Sequence, residues 1–154
     1  MIAEKLKGSE AVPTYIEDVF STYLYTGNGS TQTITNGIDL AGRNGMVWIK
    51  DRTSADPAWI MDTTQGVESA LRPSTTSAAV AVSDAITAFN SNGFSIGNNI
   101  YSNTNGNDYA SWTFRKVAKF FDVVTYTGTG SARTIAHSLG SAPGCIIVKR
   151  TDTT

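Results

Sequence analysis

Tyr23-Leu-Tyr-Thr-Gly-Asn-Gly-Ser-Thr-Gln-Thr-Ile34, followed after a short polar connection by Met46-Val-Trp-Ile-Lys-Asp-Arg52, decides how this chain reads. The apolar period is near two, and threonine and aromatic residues favour extended backbone. Gly27-Asn28-Gly29 supplies positions tolerant of positive φ, so the spacing predicts a tight hairpin over 23–34. In the second segment Val47 and Ile49 fall on one face of a strand, and Met46, Trp48 and Lys50 on the other.

The chain then states this pattern again. Val123-Val-Thr-Tyr-Thr-Gly-Thr-Gly-Ser-Ala-Arg-Thr-Ile135 is followed by Cys145-Ile-Ile-Val-Lys-Arg150. Tyr25-Thr26-Gly27 aligns with Tyr126-Thr127-Gly128, Gly29-Ser30 with Gly130-Ser131, Thr33-Ile34 with Thr134-Ile135, and Ile49-Lys50 with Val148-Lys149. The repeat length is about a hundred residues, the size of a domain rather than of a solenoid unit. The expected division is an N-terminal arm over 1–17, a first β-sandwich repeat over 18–118, and the opening strands of an incomplete second repeat over 119–154. The chain reads as a piece of a modular polymer.

Bulk composition narrows the function. With 154 residues there is material for one real core. A net charge of −1 gives no electrostatic footprint for nucleic acid or an anionic membrane. Charged residues are only 16%, while Gly, Ser, Thr and Asn abound, which suits short strands joined by tight turns. The lone Cys145 has no partner within the chain, and its place in Cys145-Ile-Ile-Val148 suggests a small buried residue. No run reaches the roughly 18 apolar residues of a membrane span, and the N-terminus carries no secretory apolar core. Release by lysis as a virion part fits that pattern.

Ahead of the sandwich, Ile2 and Leu6 are spaced for a single amphipathic turn before Gly8 and Pro13 interrupt it. Ile2, Leu6, Tyr15 and Phe20 are the candidate docking residues of an arm that orders on a partner. Further on, Asp56-Pro57 turns the chain, and Ala58 to Asp62 returns antiparallel to the Trp48 strand, bringing Trp48 and Trp59 together. Val67 to Leu71 is compatible with a helical turn; Ser74 to Ser83 suits a surface loop or an edge strand, and a loop is the expectation. Ala85 to Phe89, Asn90-Ser-Asn-Gly93 and Phe94 to Ile96 form the clearest hairpin signal. Tyr109 to Arg115 alternates strictly, and Trp112 and Phe114 are expected inward. Many short strands with almost no helix indicate an all-β antiparallel sandwich.

Chemistry leaves few marks. His137 is the only histidine, which rules out a His-rich metal site. The acids are scattered; a glycosidase needs two carboxylates across a cleft, and Asp51 and Asp62 are the pair a hairpin could bring together, although solvent-facing positions are expected. Asn103 to Asp108 offers oxygen ligands but fails the EF-hand spacing, leaving an irregular loop site as the only calcium reading. Trp59, Tyr101, Asp108 and Tyr109 are the candidate glycan contacts, since aromatic faces beside Asn and Asp stack on sugar rings, although core positions are the commoner use. No catalytic, cofactor-binding or metal residue is assigned, and the chain is not expected to be an enzyme or to need a cofactor.

Val47-Trp-Ile-Lys-Asp-Arg52, Asp62-Thr-Thr-Gln-Gly66, Phe89-Asn-Ser-Asn-Gly-Phe94 and Tyr109-Ala-Ser-Trp-Thr-Phe114, kept in that order, carry a resemblance. Over residues 20–154 the chain resembles the repeated domain of tail fibre and other tail proteins of marine tailed bacteriophages, including phages of cyanobacteria. The resemblance implies a jelly-roll or concanavalin-A-like sandwich and a place in the virion tail, and it carries over no catalytic residue. It further implies attachment of the N-terminal end to other tail proteins of the adaptor or nozzle type, as a homotrimer. The expected function is the anchoring part of a tail fibre or tail appendage. A carbohydrate-binding module for a host surface glycan is the alternative, and a glycan depolymerase is a third reading that would need the carboxylate pair.

Overall fold

The structure is a computed structural model that describes residues 14–152. A 3-10 turn (Ile16–Asp18) leads into β1 (Phe20–Thr26), β2 (Gln32–Thr35), β3 (Gly45–Asp51) and β4 (Trp59–Asp62). There follow β5 (Ser69–Ala70), β6 (Val80–Ala81), β7 (Ile86–Asn90), β8 (Gly93–Ile96) and β9 (Asp108–Arg115). The chain is all-β, and every pairing is antiparallel. One sheet runs β1-β9-β3-β4, a second runs β2-β8-β7, and β5-β6 forms a small hairpin.

The two larger sheets are the layers of a sandwich, because their inner faces supply a single core. Tyr25, Val47, Ile49, Trp59, Met61 and Tyr109 come from the four-stranded sheet, and Ile34, Ile86, Phe94 and Ile96 from the other. Ile38 and Leu40, on the connection between β2 and β3, close one side of that cluster. Removing this much apolar surface from water is the main force holding the layers together. β3 alternates buried and half-buried along its whole length, with Val47 and Ile49 inward as expected.

Several expectations hold and several are corrected. The β7-β8 hairpin forms around Ser91 and Asn92, with Phe89 opposite Phe94 and Asn90 opposite Gly93. Residues 23–34 do not form a hairpin: β1 pairs with β9 while β2 pairs with β8, so Gly27-Asn28-Gly29 carries the chain from one layer to the other. On β9 the inward face is Tyr109, Ser111 and Thr113, and Trp112 and Phe114 stand half-buried on the outside. Bulk alone would put the aromatics inward. However, β9 lies between β1 and β3, where the core already holds Tyr25 and Tyr109, and small hydroxyl residues fit the remaining space. Those hydroxyls are used: Asn36 Nδ2 donates to Thr113 Oγ1 at 2.8 Å, and Ser111 Oγ donates to the Tyr23 carbonyl at 3.4 Å.

Register also separates Trp48 from Trp59. Trp59 lies opposite Ile49 and points into the core, stacking on Tyr101 at 5.1 Å, while Trp48 lies opposite Trp112 on the outer face, 6.3 Å away edge-on. Residues 67–71 form no helical turn; Ser69–Ala70 pairs with Val80–Ala81, and Leu71 bridges Ile60. The expected loop over 74–83 thus contains a two-residue strand, too short to leave a periodic signal.

The C-terminal stretch departs most from expectation. Among the described residues no strand follows β9, so within 119–152 the opening strands expected over 119–154 are not formed. Cys145, expected to be buried, is exposed. Among the described residues this segment meets the body through Phe120 and Phe121 on Phe114 and through a few polar contacts, and it is tied internally at Asp122. Lys116 Nζ pairs with Asp122 at 2.7 Å, and Asp122 accepts from the Ser138 amide at 2.7 Å and hydroxyl at 2.8 Å. Lys149 Nζ reaches the Ser77 carbonyl at 2.5 Å, and Ala79 N–H donates to the Thr151 carbonyl at 3.0 Å.

Burial raises the Asp122 carboxyl, but the bonds from Lys116 and Ser138 outweigh it and bring the pKa down to about 2. A pKa depressed by folding contributes stability above the ordinary carboxylate range, near 4, and that contribution is lost as pH falls through the folded value. The Ser138 amide signal should therefore titrate with its midpoint near the folded value of about 2, and Asp122→Asn should abolish that titration without shifting signals of the sandwich core. An Asp122→Asn chain whose Ser138 amide still titrates there would contradict this assignment.

Candidate functional site

Two regions of the sandwich concentrate side-chain organisation: the loop end built from residues 26–30, 51–54 and 97–108, and the outer face of the four-stranded sheet. At the loop end Asn103 is fully buried and acts as a polar knot. Its Nδ2 donates to Asn28 Oδ1 at 3.1 Å, the Ser30 carbonyl at 2.5 Å and the Gly97 carbonyl at 2.6 Å, and its Oδ1 accepts the Asn28 amide at 2.9 Å. The crossover is held by backbone as well: Gly27 N–H to the Asn107 carbonyl, Gly29 N–H to the Asn103 carbonyl, and Gly106 N–H to the Gly27 carbonyl. A Cβ on Gly27 would sit 2.2 Å from the Thr104 carbonyl oxygen, which is why glycine is needed there.

Asp51 closes the neighbouring corner. It is buried at the end of β3, accepts the amides of Thr53 and Ser54 at 2.7 and 2.9 Å, and takes a bond from Asn107 Nδ2 at 2.8 Å. Burial pushes its pKa up, yet the Asn107, Ser54 and Thr53 bonds prevail and hold the carboxyl below its usual range. Beneath it Tyr25 and Tyr109 stack at 5.1 Å, and burial raises both phenols, so they stay protonated. Tyr25 donates to the Ser102 carbonyl at 2.8 Å, and Tyr109 accepts the Thr104 amide at 2.9 Å.

The expected site residues fall as follows. Trp59 and Tyr109 are core residues, so neither offers a face to a sugar. Tyr101 is half-buried against Trp59, and Asp108 is exposed but accepts from Thr26 Oγ1 at 2.9 Å. The structure therefore does not gather the four candidate glycan contacts into one surface. Asp51 and Asp62 are both buried, contrary to the solvent-facing expectation, and lie at opposite ends of the β3-β4 ladder. Asp62 caps its own turn, accepting the amides of Thr64 and Gln65. The oxygens of Asn103 and Asp108 considered for calcium are engaged in the internal bonds just described, and no cluster of three or more His, Cys, Asp or Glu residues able to hold a metal occurs among the described residues.

Of the docking residues, Ile2 and Leu6 lie outside the described part. Tyr15 is exposed and lines a cleft of about 420 Å³ with Ile16, Val19, Val117, Lys119 and Phe120. Phe20 packs on Phe114 at 4.9 Å. The outer face that the sequence reading missed continues from there: Phe114 also meets Phe120 and Phe121, and the Trp48–Trp112 pair follows one row on. Beside Trp48 an open cleft of about 470 Å³ is lined by Lys50, Asp56, Pro57 and Pro73. The signal that could have found this face is the shared parity of Phe20, Trp48 and Phe114 across three strands in register.

The fold and these surfaces define a class: an antiparallel β-sandwich module whose loop end is locked by buried amides and whose outer sheet face is aromatic. Residues 16–154 match the model of a family described as "Domain of unknown function (DUF7483)", and the chain belongs to that family. No curated protein and no solved structure matches the chain.

Proposed function

We propose that the chain is a structural module of a virion: the anchoring part of a phage tail fibre or similar tail appendage, joined to other tail proteins and trimeric. The observation that carries this reading is the restatement of the sandwich opening in the same chain about a hundred residues later, the construction of a serial appendage. The cleft around Tyr15 and Phe120, next to the expected docking arm, supports attachment at that end. Capping by Asp51 and Asp62 supports a scaffolding role over glycan cleavage, since both carboxylates are committed to turns. Trp59 and Tyr109, enclosed in the core, weaken the host-glycan alternative.

Subunit mass and partner recovery test the reading. The purified chain should run as a trimer and co-purify with tail proteins from intact particles. A monomer that never joins a purified tail complex would overturn it.

A further inference from the structure

In the sandwich, residues 20–51 form no ladder among themselves. β1 pairs only with β9, β2 only with β8, and β3 only with β4 and β9, so each of the first three strands depends on a partner from residues 59–115. Residues 123–150 restate the first half, and among the described residues no counterpart of β4, β8 or β9 accompanies them. The cost shows in burial. Val47 and Ile49 are 0% and 2% exposed, whereas Ile146 and Val148, which align with them, are 72% and 68% exposed. Tyr25 is 8% exposed and Tyr126 50%.

Two glycines say what is missing. Gly27 is required because the Thr104 carbonyl oxygen would lie 2.2 Å from a Cβ, and Gly45 because the Phe114 carbonyl oxygen would lie 2.1 Å away. Both close approaches come from the second half of the repeat. Gly128 and Gly144 stand at the same places in the restated pattern, yet nothing comes within 4 Å of a Cβ on either. Backbone geometry is already matched at the turn, where Gly29 has φ 65° and Gly130 φ 71°.

We propose that residues 122–150 are the acceptor half of a second sandwich. The partner they fit is a polypeptide segment carrying the second half of this same repeat, with strands patterned on Trp59–Asp62, Gly93–Ile96 and Asp108–Arg115. Its backbone would approach Gly128 and Gly144, and its apolar faces would cover Tyr126, Ile146 and Val148. The inference stands on the internal repeat and on burial, independently of a place in a virion.

The test extends the full chain past Thr154 with a second copy of its own residues 56–118. Amide exchange at residues 124–127 and 145–149 should slow by about a hundredfold or more, as expected for ladder hydrogen bonds. Gly144→Val in the extended chain should cancel that protection. In the unextended chain the same Gly144→Val, or Ile146→Asp, should leave the melting temperature within about 2 °C, the range of a surface change. Tail amides that stay fast in the extended chain, whether or not the first sandwich survives, overturn the proposal. A clear loss of melting temperature on Gly144→Val or Ile146→Asp in the unextended chain also overturns it, because the strip would already be packed.

Discussion

Asn103→Leu is expected to destabilise the protein by about 3–5 kcal/mol, since several buried polar groups lose their partners and each unsatisfied group costs about 1–3 kcal/mol. The side chain ties Asn28 and Ser30 of the crossover to Gly97 at the end of β8, adding to the backbone bonds between residues 27–29 and 103–107. Leucine keeps the branched skeleton, with bulkier methyl groups in place of the amide, and removes every one of these bonds, leaving the Asn28 amide and the Ser30 and Gly97 carbonyls to seek other partners. Melting temperature should fall by about 10–20 °C for a domain of this size. Asn98→Ala, at an exposed position of the same loop, should stay within about 0.5 kcal/mol. Thermal melts of the two variants compare them directly; equal, small shifts would remove Asn103 from its role as the knot.

Gly27→Val should be more severe, with a loss above about 4 kcal/mol and little soluble folded protein. The added Cβ would overlap the Thr104 carbonyl oxygen at 2.2 Å and would also lie 3.0 Å from the Asn103 carbonyl carbon. Backing away is blocked, because Gly27 donates to the Asn107 carbonyl at 2.8 Å and accepts from the Gly106 amide at 2.9 Å. The same change at the aligned Gly128 meets nothing within 4 Å and should be tolerated. Urea unfolding of both variants reads the contrast. A folded Gly27→Val protein of near-native stability would mean that the 103–107 loop is not clamped onto the crossover.

These positions also show which parts of the fold were legible in the sequence. The β7-β8 hairpin was, because Asn90-Ser-Asn-Gly93 is a local signal and both strands lie within a few residues of it. The face of β3 was too, since Val47 and Ile49 obey a strict period of two. Gly27-Asn28-Gly29 misled: the same residues serve a hairpin or a crossover, and the deciding bonds come from Asn103 and Asn107, far along the chain. The face of β9 misled for a different reason. Trp112 and Phe114 outrank Ser111 and Thr113 in hydrophobicity, but β9 is a central strand whose inner side was filled by Tyr109 and by the opposite layer. Trp59 and Tyr109 could not be told from sugar-binding aromatics by residue type, because burial is a property of register rather than of composition.

The internal repeat was readable at once, and its physical consequence was not. Sequence alone suggests that a restated opening forms the same strands again. The pairing shows otherwise, since first-half strands bond only to second-half strands, and among the described residues the restated first half has no second-half strand beside it. An exposed Cys145 and an exposed Ile146-Ile147-Val148 run follow from that.

Amide hydrogen exchange on the intact chain tests this most directly, by comparing residues 20–51 with residues 123–150 in one experiment. Expected is protection of about a thousandfold or more across β1 and β3, with residues 124–127 and 145–148 exchanging at nearly the rate of an open chain. Equal protection in the two stretches would contradict it, because the second stretch would then have found strand partners that the pairing of the sandwich does not provide.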